Sequence, residues 1–458
     1  MNRSYLGSCV RSALAIAALV GAAMAQAQQA PVQPTRGGQP LREHSFDIGL
    51  LGGINWSDNI RRTAVDEDEG TYSRTAVLLT YERQSQRLNA SVNADVGYEY
   101  YFDDEFDSDV VGGLDGTAVF GVVPGRFEWF VQDNFGQVTT DPFAAVTPET
   151  RENVNYFTTG PDVFVRLGSV TRLRVNGRYS NINYERSPFD HDRIGGGVGI
   201  ERELSSSSVA SLNLRTDRTE YDANVPDVDY DRDEASLGFI AQGARTRANL
   251  EVGYTRLTAL DSDRESSGLL LRLSLDRQLT QASQLGLTLG REFSDAGDVF
   301  RLQQSLTGVS QGTQTVLPSS DPFTNEYVTL HYQLVGRRSG MGAGVAHFEE
   351  TYEGAGNADR TRLLVDASIY RELSANTRVE LLGRREEDDA RNIPGDYVET
   401  SGALGFSWQA SRKLSFNLQI ERVDRNSELA GGGYVENRAW LGVRYGHVLA
   451  RGQVGGLQ

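Results

Sequence analysis

The sequence has little of what commonly stabilises an exported protein or anchors it in a membrane. Its 458 residues include one cysteine and three methionines. After the first 25 positions, no apolar run reaches the roughly 18 residues that a transmembrane helix needs. Mean hydropathy is −0.42. A disulfide framework and a helical membrane domain are therefore excluded. A membrane β-barrel is not, because only alternate residues of its strands need to be apolar.

The N-terminus is typical of an export signal. Arg3 and Arg11 supply positive charge, the stretch 12–24 is apolar, and two small-x-small cleavage sites lie within 23–27. We therefore predict a signal peptide over 1–27 and export through a bacterial inner membrane.

Cleavage of the signal peptide would give the mature chain. We expect it to begin at Gln26 or Gln28 and to lack Cys9, so that no disulfide can form. Loss of two arginines changes the formal net charge from −17 to −19. The proline-containing stretch 28–44 predicts a periplasmic linker, and 45–458 predicts the barrel domain.

The stretch Leu88–Tyr100 shows a pattern that the rest of the chain repeats. Its alternate residues are Leu88, Ala90, Val92, Ala94, Val96, Tyr98 and Tyr100. The residues between them are polar apart from Gly97, so this is a strand with one apolar and one wet face. Strands in soluble sandwiches usually have five or six residues, whereas membrane strands need about 9–11 and carry aromatic residues at the interface.

From residue 45 onward such segments follow one another, and no stretch predicts a helix. We count twenty, and the two weakest, 45–56 and 109–122, leave eighteen as the alternative. Short and long connections alternate, as in outer-membrane barrels with short periplasmic turns and long extracellular loops. The predicted fold is all-β, a single transmembrane antiparallel β-barrel of about twenty strands in a Gram-negative outer membrane.

The alternation also predicts which side chains face the lumen. Leu271 and Leu273 are expected to face lipid, while Arg272 and Ser274 face inward. Candidate lumen-lining residues are Arg172, Arg174, Arg178, Asn89, Asn93, Arg272, Arg378, Glu380 and Gln419. Basic and acidic residues are nearly balanced on this face, which suits an uncharged or mixed hydrophilic solute. The alternative is that opposite charges on neighbouring strands only neutralise one another.

The long loops carry most of the acidic excess. Acidic runs lie at Asp66–Glu69, at 103–109 and at 227–233. They indicate either divalent-cation binding near the lipopolysaccharide layer or ordinary solvated loops. None has the glycine and terminal glutamate of a calcium loop.

Catalytic signals are weak. The histidines have no metal-ligand spacing, and no serine lies in a nucleophile-elbow context. The run Gly195–Gly197 lies in a strand pattern and is not a phosphate loop, since no helix follows it. We therefore predict no enzyme activity, no cofactor and no bound metal. Nucleic acid is an unsuitable partner for so acidic a chain.

One segment resembles a known family. The string Arg151–Asp162, followed by Arg166-Leu167-Gly168 and by the strand from Arg172 to Tyr179, is similar to outer-membrane β-barrels associated with exopolysaccharide biosynthesis and export. This family is sometimes labelled a second class of barrel porins. The specific likeness covers about thirty residues and implies no catalytic residue. Many outer-membrane barrels end on an aromatic residue, whereas this sequence continues past Tyr445 to Gln458.

The resemblance implies a polar conduit that serves exopolysaccharide secretion. Two alternatives remain open, a general diffusion porin for small solutes and a structural or adhesive barrel plugged by its own loops. The predicted loop 294–324 is long enough to fold inward. The expected partners are outer-membrane lipid and lipopolysaccharide, the barrel-assembly machinery, and a polysaccharide with its envelope export machinery.

Overall fold

The computed structural model describes residues 44–446, except for 104–105, 223–228, 261–263, 308–312, 317, 354–358, 392–394 and 430. The described residues form one closed antiparallel β-barrel of twenty strands and contain one α-helix. The predicted all-β barrel is therefore confirmed. The predicted signal peptide and most of the predicted linker lie outside the described residues, as does the tail after Gly446.

The strands follow one another along the chain with nearly uniform length. The first ten are β1 (His44–Ser57), β2 (Gly70–Gln84), β3 (Leu88–Tyr101), β4 (Asp109–Val123), β5 (Phe127–Thr139), β6 (Arg151–Arg166), β7 (Thr171–Tyr184), β8 (His191–Ser205), β9 (Ser208–Tyr221) and β10 (Tyr230–Gln242). The second ten are β11 (Thr246–Ala259), β12 (Glu265–Gln278), β13 (Ser283–Ser294), β14 (Phe323–Val335), β15 (Ser339–Tyr352), β16 (Arg360–Glu372), β17 (Thr377–Ala390), β18 (Tyr397–Gln409), β19 (Leu414–Ser427) and β20 (Tyr434–Gly446).

The sheet closes because each strand pairs with the next and β1 pairs with β20. The two segments that were weakest in the sequence are full strands, β1 and β4, so the count is twenty. Connections at one end are tight turns, such as 85–87 and 206–207. Connections at the other end are longer, the longest being 295–322. Both ends of the barrel sequence lie at the short-turn end, which is periplasmic in outer-membrane barrels.

The outward face carries an apolar belt. Large apolar side chains exposed on it include Ile48, Leu50, Leu212, Leu237, Leu269, Leu381, Leu404, Leu418 and Leu441. Aromatic residues flank the belt, with Trp129, Trp408 and Tyr445 towards the short-turn end and Trp56, Tyr98 and Tyr100 towards the long-loop end. An apolar band between two aromatic girdles is the lipid-facing surface of an outer-membrane barrel.

The inward face contains many glycines, over which neighbouring side chains lie flat. A Cβ at Gly290 would overlap the Tyr327 ring, and one at Gly344 would overlap the Asp366 carboxylate. Glycine at these positions therefore keeps polar and aromatic side chains against the wall, where they occupy little of the lumen.

The pairing between β6 and β7 is interrupted at Gly160 and Pro161. Pairs run to Thr159↔Tyr179 and resume at Asp162↔Asn176 in the same register. Proline has no N–H to donate, which accounts for the missing pairs. No residue is inserted here, so the interruption is not a β-bulge.

The expectation that no helix follows residue 45 is wrong. The helix α1 (Ala296–Thr307) lies within the longest loop. Asp295 caps it, because the Asp298 N–H donates to Asp295 Oδ1 at 2.9 Å. Strand alternation dominates the flanking sequence and hides this twelve-residue element. In the part of the chain that the structure describes, no helix is long and apolar enough to cross a membrane.

The topology predicts which loops are accessible at the cell surface. The acidic run Asp66–Glu69 lies in the β1–β2 loop, and Ser85 lies in the β2–β3 turn at the opposite end. An epitope inserted after Glu69 should be labelled on intact cells, whereas one inserted at Ser85 should be labelled only after the outer membrane is permeabilised. Surface labelling at Ser85 would mean that the barrel is inverted.

Candidate functional site in the barrel lumen

Arginine and aromatic side chains form a ladder along the inner wall of β5–β8. Arg178 lies over the Phe130 ring, with its guanidinium carbon 4.7 Å from the centroid, and donates to Asp162 Oδ2 at 2.6 Å. Arg174 donates to Asp162 Oδ1 at 2.9 Å and lies 6.0 Å from the centroid of the Phe164 ring. Two cations therefore share one carboxylate, so this part of the wall is basic.

The ladder continues towards the periplasmic end and becomes more exposed. The Arg172 guanidinium lies 4.9 Å from the centroid of the Phe164 ring and donates to Glu201 Oε2 at 2.6 Å. The exposed side-chain fraction is 18% for Arg178, 40% for Arg174 and 51% for Arg172. The arginines nearest the periplasmic turns are therefore the most accessible to a solute in the lumen.

The other predicted lumen residues are distributed around the wall and do not form one site. Asn89 is exposed and Asn93 half-buried on β3, while Gln419 is buried on β19 and donates to Glu421 at 3.2 Å. On β17, Arg378 is paired with Glu380 at 3.3 Å and lies 3.7 Å from the centroid of the Tyr370 ring. Their role as solute contacts remains a prediction.

Arg272 lies at the centre of an acidic group. Its guanidinium is 3.0 Å from Glu234, 3.2 Å from Glu251 and 2.6 Å from Glu292. One cation therefore faces three carboxylates from three different strands. These contacts, like those of the ladder, are the cross-strand neutralisation that the sequence left open as the alternative reading of the inward charges.

We call the loop 295–322 the inner loop, and its described residues 295–307 and 313–316 fold into the extracellular half of the lumen. Val299 and Phe300 of α1 are fully buried against the inner wall, where they pack in one cluster with Tyr156 and Ile182. On the β5 side, Gln304 Oε1 accepts from Asn134 Nδ2 at 2.7 Å. The inner loop is therefore attached to the wall by both apolar and polar contacts.

A buried ion cluster fixes the start of α1. Arg193 donates to Asp298 Oδ1 at 3.0 Å and is also paired with Asp295. Arg232 lies 3.3 Å from Asp298 on the other side, and the Tyr230 hydroxyl donates to Asp295 Oδ2 at 2.9 Å. Both arginine side chains are only 4% exposed, so each charge depends on its partners.

The two carboxylates of this cluster stay ionised near neutral pH. Burial alone would raise the pKa of Asp295 and Asp298, but the adjacent Arg193 outweighs it and holds both pKa values below the ordinary range. A carboxylate with a lowered pKa contributes stability above its unfolded pKa of about 4 and loses it only as pH falls through the folded value. Asp295 and Asp298 therefore keep their charges, and with them their contacts to Arg193, at physiological pH.

A second part of the inner loop crosses the lumen. Residues 313–316, the crossing segment, bridge Val138 of β5 through Gln314. On the far side of the barrel, Arg362 and Arg360 donate to the Thr315 carbonyl at 2.7 and 3.0 Å. The crossing segment thus connects opposite walls and narrows the axial path.

The β5–β6 loop, residues 140–150, crosses in the same direction, and we call it the bridging loop. Arg425 of β19 donates to the Phe143 carbonyl at 2.8 Å. The Arg360 guanidinium lies 5.8 Å from the centroid of the Phe143 ring, and Arg62 donates to the Val146 carbonyl. The inner and bridging loops together form what we call the plug of the extracellular half.

Sequence reasoning found the arginines of the ladder and raised the loop 294–324 as one that could fold inward. It missed the aromatic and acidic partners of the arginines, the helix α1 and the bridging loop. Phe130, Asp162 and Phe164 occupy inward positions by the same two-residue alternation and could have been found by it. Asp295 is followed three residues later by Asp298, and this spacing is a helix-start signal that could have indicated α1. Across the described residues, no group of three or more His, Cys, Asp and Glu side chains is placed to hold a metal ion.

The closed barrel, its apolar belt and its polar lumen define an integral outer-membrane β-barrel protein. No family model and no curated protein matches the sequence. The chain is similar in structure to the FrpB iron transporter of Neisseria meningitidis, with 9% identity, a TM-score of 0.45, and 87% of this chain and 82% of that chain covered.

Two further solved structures show the same general likeness. A mutant of the ferric enterobactin receptor PfeA of Pseudomonas aeruginosa has 8% identity and a TM-score of 0.43, with 87% of this chain and 80% of that chain covered. OmpT, an outer membrane protein of Vibrio cholerae, has 12% identity and a TM-score of 0.33, with coverages of 88% and 100%. At these scores the likenesses carry no argument about function, and the absence of enzyme activity stays a prediction.

Proposed function

We propose that the protein is a polar conduit across the outer membrane for a long hydrophilic polymer, and that this polymer is a secreted polysaccharide. The observation that carries the proposal is the ladder on β5–β8. It alternates guanidinium groups with aromatic rings along the direction that a chain in the lumen would travel.

This arrangement suits sugar chains for a chemical reason. Sugar rings present apolar C–H faces that pack on aromatic rings and hydroxyl or carboxylate groups that accept hydrogen bonds from arginine. The ladder offers both along one wall, and Arg172 and Arg174 remain half exposed. Several weak contacts in series hold a moving chain without trapping it. The likeness around Gly160-Pro161 to barrels of exopolysaccharide systems supports the same substrate class.

The plug favours a conduit that opens on demand over a general diffusion porin. A porin needs a permanent aqueous path, whereas here the crossing segment and the bridging loop both contact opposite walls. The second candidate is a barrel that stays plugged and serves a structural or adhesive role. The contacts of the crossing segment and of the bridging loop with opposite walls support it as well.

Deletion of the gene separates these functions. We expect extracellular polysaccharide to fall strongly while the uptake of small nutrients changes little. Unchanged polysaccharide with slower solute entry would favour the porin. If neither changes and the purified protein never conducts in planar bilayers, the plugged structural barrel is the better account.

The ladder arginines give a finer test. Replacing Arg172, Arg174 and Arg178 together by glutamine should reduce export several-fold more than any single replacement, because the contacts act in series. The triple variant leaves the Asp162 side chain, which is 6% exposed, without its arginine partners. The same triple replacement should therefore also be made together with Asp162→Asn. Export should stay low in both. Recovery with Asp162→Asn would attribute the loss to a buried unpaired charge and contradict a role in export.

A further inference from the structure

The backbone ladder between β4 and β5 stops before the extracellular end of the two strands. Their pairs run as far as Leu114↔Phe135 and stop there. Above this point no backbone pair joins the stretch Asp109–Gly113 of β4 to β5. A side-chain contact crosses here instead, because the Gly112 N–H donates to Gln137 Oε1 of β5 at 2.9 Å. Five residues at about 3.4 Å each give a stretch about 17 Å long without backbone pairing between these two strands. We call it the seam.

The seam lies at the depth of the outer leaflet. Gly112 pairs with Val96 and Val110 pairs with Tyr98. Tyr98 belongs to the upper aromatic girdle, so the seam extends from that girdle down into the apolar belt. Gly112 has a φ of 123°, a left-handed backbone conformation that favours glycine. Glycine at position 112 therefore permits the backbone conformation of the unpaired stretch.

The inner loop occupies the edge of β5 that β4 leaves. Gln304 Nε2 donates to the Phe135 carbonyl at 2.7 Å. The Gln314 N–H donates to the Gln137 carbonyl at 2.9 Å, and the Thr139 N–H donates to the Gln314 carbonyl at 3.1 Å. Backbone groups at membrane depth need such partners. The inner loop thus replaces the missing strand contact and covers the seam from inside.

An apolar patch lies on the wall directly behind the inner loop. Its residues come from the inner faces of β5–β7 and are Val138, Val154, Tyr156, Ile182 and Tyr184. The inner loop covers them with Val299, Phe300 and Val316. This patch contrasts with the arginine ladder lower on the same wall. If the inner loop leaves, the patch and the seam are uncovered together.

We propose that the seam is a lateral passage between the lumen and the outer leaflet, and that its ligand is an amphiphile. The acyl chain lies on the apolar patch and passes between β4 and β5, while the polar head stays in the lumen at the arginine ladder. The proposal rests on the proposed conduit in one respect, namely that the inner loop is displaced during function.

The seam can be closed covalently because the mature chain is expected to contain no cysteine. If the β4–β5 register continued above Leu114, Val111 would lie opposite Val138. Oxidation of Val111→Cys with Val138→Cys should therefore lock the two strands together once the inner loop is gone. The matched control is Leu114→Cys with Phe135→Cys, a pair that already lies side by side below the seam.

The test uses the full barrel in bilayers that contain a phospholipid with a photoactivatable diazirine on one acyl chain. Residues 296–316 are replaced by a short glycine-serine linker, and Asp295→Asn with Asp298→Asn serves as a second variant if the excised chain folds poorly. Mass spectrometry then maps the labelled residues, with outward Leu269 and Leu418 as internal standards.

We expect label on Val154, Tyr156 and Ile182 only after the inner loop is released. The oxidised Val111–Val138 pair should reduce this label several-fold, and the oxidised control pair should leave it unchanged. Label confined to outward residues in a folded, released barrel would overturn the proposal. If conductance rises while the lumen stays unlabelled, the conduit stands and the lateral passage is rejected. If conductance does not rise, the conduit itself fails.

Discussion

Replacing Asp295 and Asp298 together by asparagine should open the lumen and raise single-channel conductance in planar bilayers several-fold over the unmodified protein. Both carboxylates face Arg193, and Asp298 also faces Arg232. Removing one partner of a buried ion pair costs about 3–5 kcal/mol, because the remaining charge is left without compensation. When the inner loop is displaced, water in the lumen solvates both arginines. In the variant, the state with the displaced inner loop is therefore favoured over the plugged state.

A matched control exists on the outer surface. Asp231 is paired with Arg218 at 2.8 Å, but both side chains are substantially exposed. Exposed pairs of this kind contribute about 0–1 kcal/mol. Asp231→Asn should therefore leave conductance unchanged. If the double variant folds, as judged by heat-modifiable migration in gels, and conducts like the parent, the ion cluster does not hold the plug.

Leu273→Arg should prevent efficient folding into bilayers, whereas Ser274→Arg should have little effect. Leu273 faces outward in the middle of β12, between Leu250 of β11 and Leu289 of β13. Arginine at a lipid-facing site near the membrane midplane costs about 2–4 kcal/mol. Ser274 is the next residue along the strand and faces the lumen, where water and polar side chains accept a guanidinium.

The comparison is made on urea-unfolded protein refolded into vesicles, with the folded fraction read from gels. The two variants carry the same new side chain at neighbouring positions, so they differ only in which face receives it. Equal folding yields would contradict the facing of β12 in the structure. Poor folding of Ser274→Arg alone would invert the assignment of lumen and lipid.

Much of the barrel was determined by the sequence alone. In Leu88–Tyr100 the alternation defines a strand, its length and its two faces, because side chains of consecutive residues point to opposite sides. Repetition of that pattern, with short and long connections in turn, predicts a closed sheet of about twenty strands. The ladder arginines on β7 were also predicted to point inward by this local rule.

Only the tertiary structure decided which residues fill the lumen and where the β4–β5 ladder ends. Arg193 and Asp298 are 105 positions apart, and Phe143 and Arg425 are 282 positions apart. No local pattern relates such residues, since their contact depends on where closure of the barrel places each strand. The same holds for the seam. Backbone groups on the β5 edge that β4 leaves need hydrogen-bond partners. Gln304 and Gln314 of the inner loop, which is distant in sequence, supply them.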